Sequence, residues 1–214
     1  MTTVSVETDS LTGLLLAQTF RDQLDDALRE CETLTLALLD IDNFKELNDE
    51  HGHGAGDELL QSLGTRLDRF SHAAGGFAGR LGGDEFAIAL PGTTLESGFL
   101  RLDRLRAEIT SERGLAPSVP DYRLGLSAGV ANCPRDARSG ADLQSRADRA
   151  LWTAKEGGRN QIALPSNEEM VLKTAYYTTA QVGRLKLLAE KRRVKEAVLL
   201  REALDDLLRK HDVK

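Results

Sequence analysis

Acidic residues at the ends of apolar segments are the side chains best placed to do chemistry. Asp40 and Asp42 end an almost wholly apolar run, and Asp84 and Glu85 lie between two short apolar runs. Carboxylates at the ends of buried strands are costly unless they are hydrated, paired or metal-bound. Several of them at one end of a sheet would attract a hard cation such as Mg²⁺. Two ordinary roles stay open, because Asp42 could cap the following helix and Asp84 could serve a turn.

Hydrophobic spacing predicts the elements that must position these carboxylates. Their order is α-β-α-α-β-β-α-β-α-β, which favours one α/β or α+β domain with helices packed on a sheet. A hairpin is predicted around Gly82-Gly83-Asp84, because primed turns need positive φ at their centre. The segment 51–54 is predicted to be a loop. The predicted helices cover 13–30, 43–48, 56–70, 94–113 and 141–155, and the predicted strands cover 33–41, 76–81, 85–90, 122–131 and 161–164.

Length and composition limit the class of protein. The 214 residues, 41% apolar and 29% charged, are ordinary for a soluble globular chain with one full domain and a small second one. No apolar run approaches the roughly 20 residues of a membrane helix, no secretory signal is visible, and two cysteines make no framework. We therefore expect a cytoplasmic protein with no membrane partner.

Charge is unevenly distributed along the chain. Residues 166–214 carry 11 Lys and Arg against 8 Asp and Glu, whereas residues 1–165 carry 17 against 26. An acidic body with a slightly basic tail favours two modules with different partners.

Five motifs in order resemble the GGDEF family of diguanylate cyclases. Residues 82–86 read Gly-Gly-Asp-Glu-Phe, the family's signature. The other four are DSLTGL from Asp9, DIDNFKELND from Asp40, HGHGAGD from His51, and RAD from Arg146 followed by AKEGGRN from Ala154. The resemblance covers residues 9–164. It implies an α+β fold, a GGDEF (nucleotidyl-cyclase-like) domain with a central, mostly antiparallel sheet flanked by helices.

The resemblance implies an enzyme that condenses two GTP into cyclic di-GMP and pyrophosphate. Its cofactor is Mg²⁺, with Mn²⁺ as a substitute. Asp40 and Asp84 match the metal-binding carboxylates, joined by the backbone carbonyl of Ile41, and Asp84 or Glu85 matches the group that helps to deprotonate the attacking 3′-hydroxyl. Such a metal lowers the pKa of that hydroxyl and neutralises charge at the α-phosphate. Lys155 completes the matched catalytic set.

Other matched positions bind the substrate. Asn48 and Asp57 match the residues that read guanine, whose N1–H and N2–H donors suit a carboxylate. For Asp57 the alternative is an acid in the first turn of a helix. Phe44 and Lys45 begin a short helix whose free N–H groups suit phosphate oxygens.

The remaining matched positions surround the phosphates. Lys155 and Arg159 match the cations that hold the β- and γ-phosphates, and Gly82 and Gly83 let the backbone approach the nucleotide. Arg80 precedes the signature as in many members, or simply forms a surface ion pair. The family's product-inhibition motif RxxD is absent, because residues 73–76 read Ala-Ala-Gly-Gly.

The tail resembles a second family, the ribbon-helix-helix modules. A β-type segment over 170–178 precedes two helical patterns, and this unit is too small to bury its own core alone. The resemblance, over about 170–211, implies a homodimer whose paired strands enter the major groove of double-stranded DNA. The candidate DNA-binding residues are Lys173, Thr174, Tyr176, Arg193 and Lys195. The alternative is a pure dimerisation device.

The sequence thus predicts a GGDEF domain over 9–165, a linker over 166–170 and a ribbon-helix-helix-like domain over 171–211. It predicts a diguanylate cyclase that works as a dimer held by the tail. The alternative function is a DNA-binding regulator whose GGDEF domain only senses GTP or cyclic di-GMP. DNA binding would add the nucleoid to the expected cytoplasmic location.

Overall fold

The computed structural model describes residues 7–165, 175–192 and 196–211. The chain divides into two compact units, one formed by residues up to Lys155 with Arg159–Pro165, the other by Glu156–Gly158 with the chain after Pro165. The elements before the tail are β1 (Leu15–Leu16), α1 (Ala17–Glu30), β2 (Leu34–Asp42), α2 (Phe44–His51), α3 (His53–Ala73), β3 (Phe77–Gly82), β4 (Glu85–Pro91), α4 (Leu95–Ser111), β5 (Gly125–Cys133), α5 (Gly140–Glu156) and β6 (Ile162–Ala163).

The strands form one six-stranded sheet in the order β1-β3-β4-β2-β5-β6. The central strand β2 pairs antiparallel with β4 on one side and with β5 on the other. β3 is antiparallel to β4, whereas the two-residue strands β1 and β6 add parallel edges. The prediction of a mostly antiparallel sheet flanked by helices is confirmed.

Helices cover both faces of the sheet, which explains why all nine residues of β2 are buried. Alternate residues of a strand point to opposite faces. Leu39 and Ile41 therefore belong to the core that contains Leu63 of α3, and Leu36 and Leu38 belong to the core under α1 and α5. An acid at the end of such a strand has little access to water, so its partners decide its chemistry.

The structure corrects the predicted elements in two places. Residues 15–16 form a strand beside β3 rather than the start of a helix, which begins at Ala17, because backbone pairing outweighs local helical spacing here. The segment 51–54 is not a loop: α2 runs to His51 and α3 starts at His53. Gly52, with φ of 83°, makes the whole break between them.

The tail contains two helices, α6 (Thr179–Arg192) and α7 (Glu196–Lys210). α6 starts with a reciprocal cap, in which Gln181 accepts from the backbone N–H of Thr178 and donates its own N–H to the Thr178 hydroxyl. The prediction of a β-type segment over 170–178 is wrong for residues 175–178, which have no regular secondary structure and pair with no strand of the described residues. Residues 166–174, with the linker and the rest of the predicted β segment, lie outside the described residues. Every helix in the described ranges is too short or too polar to span a bilayer.

The tail helices expose apolar side chains. Ala189 and Leu199 are buried. Among the side chains that the structure describes, the large exposed apolar ones of the two helices are Val182, Leu187, Leu188, Leu200, Leu204, Leu207 and Leu208. Two short helices with this much exposed leucine surface lack the core that a stable isolated unit needs.

Candidate active site

The predicted acidic residues meet at one end of the sheet. Asp40 lies opposite Glu85 in the register of β2 and β4. The next residue, Ile41, donates its backbone N–H to the carbonyl oxygen of Asp84 at 3.4 Å. Pairing of the central strand with the hairpin thus brings together Asp40, Ile41, Asp84 and Glu85, four of the five residues that the sequence analysis assigned to metal binding and catalysis.

Asp40 is the buried acid of this group, and Lys155 is its counter-ion. Lys155, in the last turn of α5, places its Nζ 2.6 Å from Oδ2 of Asp40. Burial raises the pKa of the Asp40 carboxyl above its usual value, the contact with Lys155 opposes this, and the nearby Asp84 and Glu85 raise the pKa further. The cluster therefore holds more negative charge than one lysine compensates.

This oxygen-rich cluster fits a hard divalent cation. Its donors are carboxylate and carbonyl oxygens, the ligands that Mg²⁺ accepts, and the excess negative charge at buried Asp40 is what a cation would relieve. The described residues contain no group of three or more His, Cys, Asp and Glu side chains arranged around a metal position. The protein ligands to consider for such a cation are therefore the carboxylates of Asp40 and Asp84 and the backbone carbonyl of Ile41. Its remaining coordination positions would be filled by substrate oxygens and water.

A second cluster, on α2 and α3, has an unsatisfied polar atom. Oδ1 of Asn48 is buried and has no hydrogen-bond partner. A Cβ placed on Gly56 would lie 2.1 Å from that oxygen, so only glycine leaves room for this side chain. A buried acceptor without a partner is costly, which marks this place for a ligand that donates hydrogen bonds.

Asp57 follows Gly56 and is exposed. Because α3 begins at His53, Asp57 is its fifth residue, beyond the first turn. The first-turn alternative for this acid is therefore wrong.

The start of α2 leaves its first N–H groups without a side-chain cap. Asn43 precedes the helix with φ of 59°, in the left-handed region, and makes no capping hydrogen bond. Phe44 packs partly buried against the core, and Lys45 is exposed. Asp42 does not cap α2, the alternative role that the sequence left open, because it ends β2 and its carboxylate is bound by Ser127. Its Oδ1 accepts from the hydroxyl of Ser127 at 2.7 Å.

The hairpin that carries the acids is braced from the start of the domain. Gly83 has φ of 50°, as its turn requires. Its carbonyl accepts two hydrogen bonds from the Arg80 guanidinium, which also pairs with Asp9 at 3.0 Å. Asp9 accepts from the backbone N–H and the hydroxyl of Thr12. Burial raises the pKa of Asp9, but the bonds from Thr12 and Arg80 outweigh it and hold that pKa below its usual value. Arg80 thus forms an ion pair and supports the hairpin turn as well.

The turn after α5 carries Arg159, whose side chain is exposed. Arg159 and Asn160 have φ of 64° and 47°, a left-handed pair that costs roughly 1–2 kcal/mol per residue. Sequence reasoning missed the side chains that bind Asn160 in this turn, which are Asp42 and Ser127 on the sheet and Arg106 on α4. No sequence signal placed Arg106 there, since it lies 54 positions from Asn160.

Of the five candidate DNA-binding residues, the structure describes only Tyr176. Lys173, Thr174, Arg193 and Lys195 lie outside the described residues. Tyr176 lies in the irregular segment before α6 and is fully exposed.

The fold and the site define a class of α+β domain in which carboxylates cluster at one end of a mostly antiparallel sheet. Comparison with known proteins identifies the family. The family described as "Diguanylate cyclase, GGDEF domain" matches residues 6–161. The chain therefore belongs to the GGDEF family of diguanylate cyclases. A second family, described as a ribbon-helix-helix domain, matches residues 173–212.

Similar proteins agree with this assignment. The chain is 37% identical over 159 residues to diguanylate cyclase DgcP of Pseudomonas aeruginosa, and the match covers 72% of the chain and 23% of DgcP. It is 36% identical over 141 residues to the probable diguanylate cyclase DgcC of Escherichia coli, and that match covers 66% of the chain and 37% of DgcC. The chain thus matches less than two fifths of the length of either relative.

Solved structures resemble the GGDEF domain. The GGDEF domain of DgcB from Caulobacter crescentus, in complex with c-di-GMP, has a TM-score of 0.69 and 34% identity and covers 78% of this chain and 97% of that one. The GGDEF domain of TpbB (YfiN) from Pseudomonas aeruginosa has a TM-score of 0.70 and 33% identity and covers 75% and 95%. Diguanylate cyclases are nucleotidyl cyclases that generally need a divalent metal.

Proposed function

We propose that this protein is a diguanylate cyclase that condenses two GTP into one cyclic di-GMP and two pyrophosphates. The observation that carries the proposal is the meeting of Asp40, Asp84 and Glu85 with Lys155 at one end of the sheet. In each half-reaction the 3′-oxygen of one GTP bonds to the α-phosphorus of the other. The bond from that phosphorus to the α,β-bridging oxygen breaks, pyrophosphate leaves, and the hydroxyl proton passes to a base.

The same residues would bind the metal ion and supply the general base. Asp40, Asp84 and the Ile41 carbonyl would hold Mg²⁺ or Mn²⁺, which supplies charge neutralisation and a lowered hydroxyl pKa. Either Asp84 or Glu85, which is exposed beside the cluster, would accept the hydroxyl proton. Lys155 would leave Asp40 and bind the departing phosphates.

The remaining positions would select and orient GTP. Asn48 and Asp57 would bind guanine, whose N–H groups satisfy the orphaned Asn48 oxygen. The uncapped start of α2 at Phe44 and Lys45 would hold phosphate oxygens, together with Arg159. Gly82 and Gly83 would let the hairpin backbone approach the nucleotide.

We further propose that the tail makes the enzyme a homodimer. Each chain holds one GTP, so two sites must face each other, and the exposed leucines of α6 and α7 need a cover. The module boundaries we propose are 9–165, 166–170 and 171–211. A short linker gives the cyclase domains an effective concentration that is roughly millimolar. As in other ribbon-helix-helix domains, the paired strands would also bind double-stranded DNA.

Substitution of the acids tests the catalytic proposal. Asp84→Ala and Asp40→Asn should each abolish cyclic di-GMP formation from GTP and Mg²⁺, because each removes a metal-binding carboxylate. Asp26→Ala is the matched control, since this exposed acid on α1 only pairs with Arg29, and it should keep wild-type turnover. Near-normal synthesis by either site variant would contradict the metal assignment.

Salt dependence tests the tail's DNA role. Binding to duplex DNA should weaken steeply as salt rises, and Lys195→Ala should lower the slope by about one unit if this lysine contacts one phosphate. A chain with no affinity for duplex DNA at low salt would have a tail that serves dimerisation only.

A further inference from the structure

The turn that carries Arg159 is held by three side chains with no role in the reaction just proposed. Arg159 and Asn160 both have left-handed backbone conformations, which non-glycine residues adopt at a cost. The Arg159 side chain is exposed. Where its guanidinium points therefore depends on how firmly the backbone around it is fixed.

The sheet holds Asn160 through its backbone N–H group, and it also donates from Ala128 of β5 to the carbonyl oxygen of the next residue, Gln161, at 2.9 Å. The N–H of Asn160 donates to Oδ2 of Asp42 at 2.8 Å and to the hydroxyl oxygen of Ser127 at 3.1 Å. Asp42 is 6% exposed and Ser127 is fully buried, and the two are joined to each other at 2.7 Å. Both acceptors lie on strands that pair with each other, β2 and β5, so they are rigid.

Helix α4 holds the same residue from the other side. Nη1 of Arg106 donates to the backbone carbonyl of Asn160 at 2.9 Å and to its side-chain oxygen at 3.1 Å. Arg106 is itself fixed by Asp103, 2.8 Å away, and its side chain is only 18% exposed. The backbone N–H, the backbone carbonyl and the side-chain oxygen of Asn160 are thus held from three elements, β2, β5 and α4.

We propose that Arg106, Asp42 and Ser127 are positioning residues that set the affinity for the β- and γ-phosphates of GTP by fixing the backbone that presents Arg159. This proposal rests on the proposed function. We call these three residues the clamp. They contact Asn160, and the proposal requires no contact between them and the nucleotide. Without it the turn relaxes towards right-handed conformations, and Arg159 loses the phosphates while the guanine pocket on α2 and α3 is unchanged.

Comparing a guanine nucleotide that has β- and γ-phosphates with one that lacks them distinguishes the effect of the clamp from general damage to the protein. The probes are the non-cleavable triphosphate guanosine 5′-(α,β-methylene)triphosphate and GMP, which keeps guanine but has no β- or γ-phosphate. Calorimetric titration of the full chain with Mg²⁺ gives both affinities. Arg106→Met should weaken binding of the triphosphate about tenfold, the range for a lost hydrogen bond to a charged group, and leave GMP affinity unchanged, which also shows that the variant is folded.

Two further variants sharpen the test. Arg106→Lys should give intermediate triphosphate affinity, because a single nitrogen makes both contacts to Asn160 in the wild type. Arg104→Met is the matched control: Arg104 is an exposed arginine on the same helix that pairs with Glu108, and its loss should change neither affinity.

A double variant tests whether Arg106 acts through Arg159. In an Arg159→Ala background, Arg106→Met should have no further effect, since there is no guanidinium left to position. Additive losses, equal losses for both nucleotides, or wild-type triphosphate affinity in Arg106→Met would each overturn the clamp while GTP binding itself stands. A wild-type chain that binds neither probe would overturn the proposed function and the clamp together.

Discussion

Lys155 pairs with Asp40 in the structure and, as proposed above, binds the phosphates of GTP. Replacing Lys155 by methionine tests the pairing with Asp40 alone when stability and metal binding are measured without nucleotide. The Nζ to Oδ2 distance is 2.6 Å, with side-chain exposures of 33% for Lys155 and 9% for Asp40. A hydrogen bond between charged groups contributes roughly 1.5–3 kcal/mol, and the partial exposure of the lysine favours the lower half of that range. Lys155→Met should therefore lose about 2 kcal/mol of unfolding free energy near pH 7.

The same substitution should strengthen metal binding without nucleotide. A divalent cation must compete with Lys155 for the Asp40 carboxylate, so freeing that carboxylate should tighten Mn²⁺ binding by about tenfold, equivalent to roughly 1.4 kcal/mol. Electron paramagnetic resonance measures free Mn²⁺ directly. Arg159→Met is the matched control, since it removes an exposed cation that has the same proposed phosphate role but forms no ion pair with Asp40 in the structure. It should leave Mn²⁺ affinity near the wild-type value.

The pH dependence has a definite sign. The pKa of Asp40 in the folded protein is above its usual value of 3.8, so ionisation of Asp40 costs stability above that folded pKa. This cost is relieved as the pH falls towards 3.8. Removing Lys155 raises the pKa further, so the stability difference between variant and wild type should shrink as the pH falls. A difference that is constant with pH, or equal Mn²⁺ affinity in Lys155→Met and Arg159→Met, would refute this reasoning.

Other parts of the molecule give further expectations. Gly56→Ala should lower GTP affinity at least tenfold, about 1.4 kcal/mol, because its Cβ would lie 2.1 Å from the Asn48 oxygen; fluorescence titration with a labelled GTP checks this. Asp9→Asn should cost about 1 kcal/mol at neutral pH. That cost should fade as the pH drops below 3.8, because the lowered pKa of Asp9 stabilises the fold only while it is ionised; urea unfolding at several pH values measures it. Cyclic di-GMP should not inhibit through an RxxD site, since 73–76 lack one, and steady-state kinetics with added product would reveal any other inhibitory site. Deletion of 166–214 should leave a mostly monomeric domain with severely reduced turnover at micromolar protein, as light scattering and product assays would show.

The sequence predicted the sheet and most of its helices because their signals are local. Six of the nine buried residues of β2 are apolar, so most of this strand is recognisable from the sequence, and the Gly-Gly turn marks the hairpin. β1 was missed because it has only two residues and depends on backbone pairing with β3, far along the chain, and with Thr8. The break at Gly52 was read as a longer loop, since glycines at 52 and 54 weaken a helical pattern that tertiary packing restores.

The candidate site was predictable where motifs carry it and not where partners meet across the fold. The positions of Asp40 and Asp84 in their motifs were enough to predict that the two carboxylates lie close together. That Lys155 pairs with Asp40 depends on how α5 packs, and that Arg106 holds Asn160 depends on the approach of α4 to the turn after α5. The role of Asp42 could not be predicted from the sequence, because its position suited a helix cap as well as a metal ligand. Only the pairing of β2 with β5 reveals Ser127 as its partner.

The most direct test of the central claim is to identify the product that the full chain makes from GTP and Mg²⁺. Chromatography with mass spectrometry should find cyclic di-GMP, with two pyrophosphates released per cyclic dinucleotide. In an equal mixture of GTP and ATP the mixed GMP–AMP product should be minor, because Asn48 and Asp57 would select guanine. Tight binding of GTP with no cyclic di-GMP formed would contradict the account and favour a regulator that only senses the nucleotide.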